Sequence, residues 1–167
     1  MTYREAINLG EKVLNMADVA DAKIDAWLLL EMVCKIDRSF YYLHMEDEVA
    51  EEQLSEYEIA LRKRAEHVPL QYIVGEAEFM GLKFKVNSNV LIPRQDTETL
   101  VEEALKHLGD VEKPEILDMC TGSGCILLSL LLERQDACGT GVDVSPEALE
   151  VAKKNAGILK VENRADF

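Results

Sequence analysis

An apolar stretch runs into a glycine turn and then a second apolar stretch at Ile116-Leu117-Asp118-Met119-Cys120-Thr121-Gly122-Ser123-Gly124-Cys125-Ile126, and an acid, Asp143, follows 21 residues past Gly122. This is the pattern of a strand, a tight turn, a helix and a second strand. Two strands joined by a helix must lie parallel, because only a crossover carries the chain back to the same end of a sheet. The alternation continues, with strands expected over Glu115 to Met119, Gly139 to Val144 and the terminal Val161 to Phe167, and helices between them. The second helix opens at Ser145-Pro146-Glu147. There a hydroxyl can cap free backbone N–H groups, a proline presets the first helical φ, and an acid complements the helix dipole.

Upstream the period is different. Residues 2 to 67 contain no proline and one glycine, and their apolar residues recur at helical spacing, as in Ala26, Leu29, Leu30 and Val33 or Leu54, Tyr57 and Leu61. A helical bundle of three or four helices is expected over 1–67. The period changes at Val68-Pro69, after which Leu82, Phe84 and Val86 alternate with Lys83 and Lys85. A β-hairpin linker is therefore expected over 68–93, with a first strand from Gln71 to Phe79 and a turn near Met80-Gly81. Pro93 ends it, and residues 94–167 form an incomplete Rossmann-like sheet domain, so the fold class is α/β. Cutting such a sheet after its third strand leaves an unpaired edge, from which self-association or instability in isolation is expected.

Charge narrows the partners. The 167 residues carry 32 acids against 18 Lys and Arg, a net −14, so the basic face that phosphate backbones require is missing and direct nucleic-acid binding is not expected. No apolar run is long enough for a bilayer. Seven acids between Glu46 and Glu58 read either as a solvated helix face or as a surface for a basic partner. Cys34, Cys120, Cys125 and Cys138 form no C-x-x-C pair, and His44, His67 and His107 share no ligand spacing, so neither a disulfide framework nor a metal site is expected. A reducing, cytoplasmic setting is the default expectation.

Glycine in the turn lets a ligand approach the backbone, and a carboxylate at Asp143 can accept hydrogen bonds from the two hydroxyls of a ribose. A plain tight turn also produces Gly-x-Gly, so the argument rests on the turn together with Asp118 and Asp143. The dinucleotide pattern wants a third glycine where Leu127 stands, and no phosphate loop with a lysine occurs. S-adenosylmethionine, which carries a ribose but no phosphate, suits what remains. Arg94, Asp96, Thr97 and Glu98, bunched behind Pro93, read equally as a lid or as a helix cap.

These residues resemble the HemK-like peptide chain release factor glutamine methyltransferases, a class I S-adenosylmethionine-dependent family. The resemblance rests on Pro69-Leu70-Gln71-Tyr72-Ile73-Val74-Gly75, on Phe79-Met80-Gly81 with Phe84-Lys85-Val86, and on Val90-Leu91-Ile92-Pro93-Arg94-Gln95-Asp96-Thr97-Glu98. It implies that Asp118, Cys120, Thr121, Gly122, Ser123, Gly124 and Asp143 hold the cofactor. It also implies that Phe79, Pro93, Arg94, Thr97 and Glu98 face the substrate cleft, and that the helical segment binds a release factor. Cys120 stands where a glycine is common and Gln95 where proline is usual. The Asn-Pro-Pro-Tyr motif that positions the target glutamine in this family does not occur in the 167 residues, so no catalytic residue is expected among them and the chain reads as part of a longer enzyme, inactive by itself. Two alternatives stand beside this reading: a nucleic-acid amino-methyltransferase, which the charge opposes, and a non-catalytic binding module.

Overall fold

The computed structural model describes residues 1–167 and divides into two compact units, Met1–Val74 and Gly75–Phe167. Helices α1 (Tyr3–Met16), α2 (Ala22–Cys34), α3 (Arg38–His44), α4 (Glu51–Ala65) and α5 (Leu70–Val74) make the first unit. A capping box starts α1: Thr2 Oγ1 accepts the Glu5 N–H while the Glu5 carboxylate accepts the Thr2 N–H. The core gathers Leu14, Ala26, Leu29, Leu30, Tyr57 and Leu61. Gly10 is needed here because any Cβ would run into the Tyr57 hydroxyl, which donates to the Ala26 carbonyl at 3.0 Å. An ion pair at 2.6 Å joins Arg64 on α4 to Asp25 on α2, with side chains 18% and 7% exposed. Trp27 packs edge-on against Tyr41 under the Arg38 guanidinium.

The segment 68–93, expected as a linker, is shared between the units. Residues 71–74, expected as the start of a strand, are helical. Leu70, Ile73 and Val74 fall at i, i+3 and i+4 and pack on the helical core, so tertiary burial overrides the strand preference of Ile and Val. Gly75, at φ +79°, ends that helix. The second unit begins with the hairpin β1 (Glu76–Phe79) and β2 (Leu82–Lys85), in which Phe79 pairs with Leu82 across a two-residue turn. Met80 and Gly81 take φ of +52° and +69°, the signs of a type I′ turn, whose twist matches that of the strands.

A short 3₁₀ turn (Gln95–Thr97) leads into α6 (Glu98–Leu108), followed by β3 (Glu115–Met119), α7 (Cys125–Glu133), β4 (Cys138–Val142), α8 (Pro146–Ile158) and β5 (Ala165–Asp166). The sheet is parallel in the order β3-β4-β5, the expected Rossmann-like arrangement. Its last strand is shorter than the sequence implied, because Val161 and Arg164 are held in turns by the Ala156 and Val161 carbonyls. The Arg164 guanidinium donates to the carbonyls of Leu131, Arg134 and Ala137, placing a cation at the negative end of α7. Through Ile116 one face of the sheet packs on a core that includes Leu127 and Leu131 of α7. On the other face Leu117 and Met119 are 64% and 66% exposed. No helix is long and apolar enough to cross a membrane.

Candidate cofactor site at the glycine turn

The turn grows directly from the sheet. After β3 ends, the Thr121 N–H still donates to the Val142 carbonyl at 2.9 Å, which extends the β3–β4 ladder by one rung. The chain then reverses through Cys120, Gly122 and Gly124, at φ +61°, +56° and +77°. Glycine tolerates this left-handed region, whereas a Cβ costs about 1–2 kcal/mol there. Cys120 therefore keeps the conformation a glycine would take, with a side chain attached and exposed. Gly124 has a second reason to lack a side chain. A Cβ there would lie 3.0 Å from Leu128 and 3.3 Å from Ala152, so its absence lets α7 start close against α8.

Two carboxylates frame the turn. Asp118 Oδ2 accepts the Thr121 hydroxyl at 2.7 Å. Burial raises its pKa, the hydroxyl hydrogen bond opposes this, and the neighbouring Asp143 charge adds to it. Asp143 Oδ1 accepts the Ser145 N–H at 3.0 Å and Oδ2 accepts the Gly122 N–H at 2.9 Å. Those two backbone donors, Ser145 first, lower its pKa. Ser145 also caps α8 as expected, its Oγ accepting the Ala148 N–H at 3.1 Å.

The structure brings the expected cofactor set together: Cys120, Thr121, Gly122, Ser123 and Gly124 form one turn, and Asp118 on β3 and Asp143 are both hydrogen-bonded to it. The expected cleft residues make no hydrogen bond to that turn. Phe79 is a correction, being fully buried in the core and edge-on to Phe84, so it lines no cleft mouth. Its inward position follows from the hairpin pleat, which buries Ala77, Phe79 and Phe84 and exposes Glu78, Lys83 and Lys85. Glu98 accepts the Met80 N–H at 2.7 Å and so anchors the hairpin turn. Neither Asp96 nor Thr97 caps α6: Thr97 occupies the cap position without a side-chain hydrogen bond, and Asp96 lies within the 3₁₀ turn. Pro93 is half-buried and Arg94 exposed, and no hydrogen bond links Pro93, Arg94, Thr97 or Glu98 to Asp118 or Asp143.

One residue at the site escaped the sequence reading. Asn155, on α8, donates to the Ser123 carbonyl at 2.9 Å. Its signal was a polar side chain on the apolar stripe Val151, Ala152, Ala156, all buried.

The donor set fits a nucleoside ligand without phosphates. Neither Asp118 nor Asp143 is paired with a lysine or arginine. A Cβ placed on Gly122 would meet nothing within 4 Å, so the turn is open on that side. An ionised carboxylate has about four lone-pair positions, and Asp143 spends two on the backbone. Two remain for hydroxyl groups.

Comparison with known proteins finds similarity along nearly the whole chain. Residues 5–75 match the family model of the PrmC N-terminal domain. The chain is 38% identical over 162 residues to the release factor glutamine methyltransferase of Koribacter versatilis, covering 97% of this chain and 58% of that protein. It is 40% identical over 160 residues to the enzyme of the same name from Leptospira interrogans, covering 95% and 56%. With that of Clostridium acetobutylicum it shares 40% over 164 residues, covering 98% and 58%. The chain therefore spans between half and two thirds of the length of these relatives. A solved S-adenosylmethionine-dependent methyltransferase from Geobacter sulfurreducens, in complex with S-adenosyl-L-homocysteine, overlaps 44% of the chain and 28% of its own at 29% identity, with a TM-score of 0.36.

Proposed function

We propose, for a chain similar along nearly all of its length to release factor glutamine methyltransferases, that the glycine turn binds S-adenosylmethionine. We further propose that the protein of which this sequence is part methylates the side-chain amide of a glutamine in a peptide chain release factor. The observation that carries this reading is the hydrogen bond from Gly122 N–H to Asp143. It places a carboxylate with free lone pairs beside a turn that offers its backbone.

In this reading Asp143 accepts the ribose hydroxyls, and Gly122 lets the cofactor come against the main chain. Asp118 faces the methionine end, where its partial burial strengthens attraction to a cationic ligand. The bound cofactor supplies an activated methyl group on a sulfonium, so no enzyme nucleophile is required and Cys120 has no covalent part. A carboxamide nitrogen is a weak nucleophile whose lone pair is delocalised, and its activation depends on orientation. That positioning is not assigned to residues of this sequence. The helical unit Met1–Val74, with its match to the PrmC N-terminal domain, is the proposed seat of release factor binding, and the cytoplasm is the proposed setting.

The test is calorimetric titration of the chain with S-adenosylhomocysteine, with Asp143→Ala in parallel. Saturable binding, weakened at least about tenfold by losing charge-assisted hydrogen bonds to the ribose, is expected. A folded chain that binds nothing, or binds equally well without Asp143, would sink the assignment.

A further inference from the structure

Three segments of the second unit that are distant in sequence meet at one side chain. Asn155 is 1% exposed. Its Oδ1 accepts the Lys85 N–H at 2.7 Å, and its Nδ2 donates to the Lys85 carbonyl at 3.0 Å and to the Ser123 carbonyl at 2.9 Å. Both N–H donors of the amide are spent inside the protein. Towards the hairpin the side chain acts as one more rung of ladder, satisfying both backbone groups of Lys85. Towards the glycine turn it holds the carbonyl of the residue that separates Gly122 from Gly124. The opposite end of the hairpin is fixed separately, by Glu98 on the Met80 N–H.

We propose that Asn155 is a positioning residue that tethers the glycine turn to the hairpin, so that the affinity of the turn for its ligand depends on how the hairpin is seated. The dependence of affinity rests on the nucleoside-cofactor reading above, whereas the tether itself does not. The chemistry selects asparagine. Alanine would leave one buried N–H and two carbonyls without partners, and aspartate would aim a carboxylate oxygen at two carbonyl oxygens.

The experiment compares the full chain with Asn155→Asp, Asn155→Ala and Val161→Ala. The last truncates a fully buried core residue that makes no side-chain hydrogen bond, and serves as a control for destabilisation. Amide hydrogen exchange is followed in residues 75–86 and 120–124, corrected for intrinsic rates, and S-adenosylhomocysteine is titrated in parallel. Both Asn155 variants are expected to lose about tenfold in protection in the two segments together at pH 8, and about tenfold in affinity, the scale of one buried hydrogen bond. Val161→Ala is expected to melt earlier without singling out those segments. In Asn155→Asp the protonated carboxyl regains one donor, so protection of the turn recovers on going from pH 8 to pH 5. That recovery is a signature general loosening does not give. Unchanged protection of residues 120–124 in Asn155→Asp, or an equal loss in Val161→Ala, would overturn the proposal. If the wild-type chain binds no S-adenosylhomocysteine, the cofactor reading and the affinity half of the proposal fall together, and the exchange data still decide the tether.

Discussion

Replacing Asp143 by alanine should destabilise the second unit even when no ligand is present. Its carboxylate accepts two backbone N–H groups, from Gly122 and Ser145, and removing it leaves both without a protein partner. Hydrogen bonds to a charged group contribute about 1.5–3 kcal/mol each when buried. Asp143 is half-buried, so water can replace part of each bond, and about 1 kcal/mol apiece, or ~2 kcal/mol in all, is the reasonable scale. For a domain of roughly 60–100 residues this lowers Tm by about 8–16 °C. Calorimetry of the two proteins across pH supplies the decisive arm. The folded pKa of Asp143 is depressed, so its contribution is fully present above the unfolded value near ~4 and is lost as pH falls through the folded value. The gap between wild type and Asp143→Ala should be full at pH 7 and close progressively below about pH 4. A gap that is absent at neutral pH, or that persists undiminished in acid, would refute the claim that these hydrogen bonds stabilise the turn.

Three further outcomes are expected. Gly139→Ala brings a Cβ to 2.5 Å from Leu127 Cδ1 and 2.9 Å from the Ile116 carbonyl oxygen, and should cost about 1–3 kcal/mol through overpacking between β4 and α7, read by chemical denaturation. Asp25→Asn leaves Arg64 largely buried without its counter-charge and should cost the helical unit about 3 kcal/mol; a change under ~1 kcal/mol would show that solvent already screens the pair. Alkylation followed by mass spectrometry should modify the exposed Cys120 and Cys138 well before the buried Cys34 and Cys125, because burial pushes the Cys34 thiol up to about 11 and raises that of Cys125.

What the sequence disclosed was local chemistry with few alternatives. Met80-Gly81 announced a hairpin turn, Ser145-Pro146-Glu147 a helix start, and the spacing from Gly122 to Asp143 a strand-turn-helix-strand unit. Each depends on backbone groups within a few residues, or on a crossover of fixed length. The misses depend on tertiary packing. Residues 71–74 have a strand-like composition, yet become helical because Leu70, Ile73 and Val74 have a helical core to cover. Phe79 belonged to a motif associated with a cleft, but the pleat that buries Phe84 opposite turns it inward. Glu98 reads from sequence as a cleft residue or part of a cap, whereas its partner, the Met80 N–H, lies 18 positions earlier. Asn155 stood out only as a polar side chain on an apolar stripe; what it bonds to could not be read, because its partners are main-chain groups, which carry no sequence signal.

The same asparagine bears on the order in which the unit folds. Its bonds to Lys85 close a loop of 70 residues, whereas the hairpin joins neighbours and β3 finds β4 across a single helix. Closing a longer loop costs more chain entropy before any contact rewards it, so loop closure favours the sheet and the hairpin over the tether as early contacts. During synthesis the hairpin leaves the ribosome first and must wait for α8 to be made before its edge is satisfied. The shape of the glycine turn accordingly depends on the last helix of the unit to be made, and not on the strands that flank it alone.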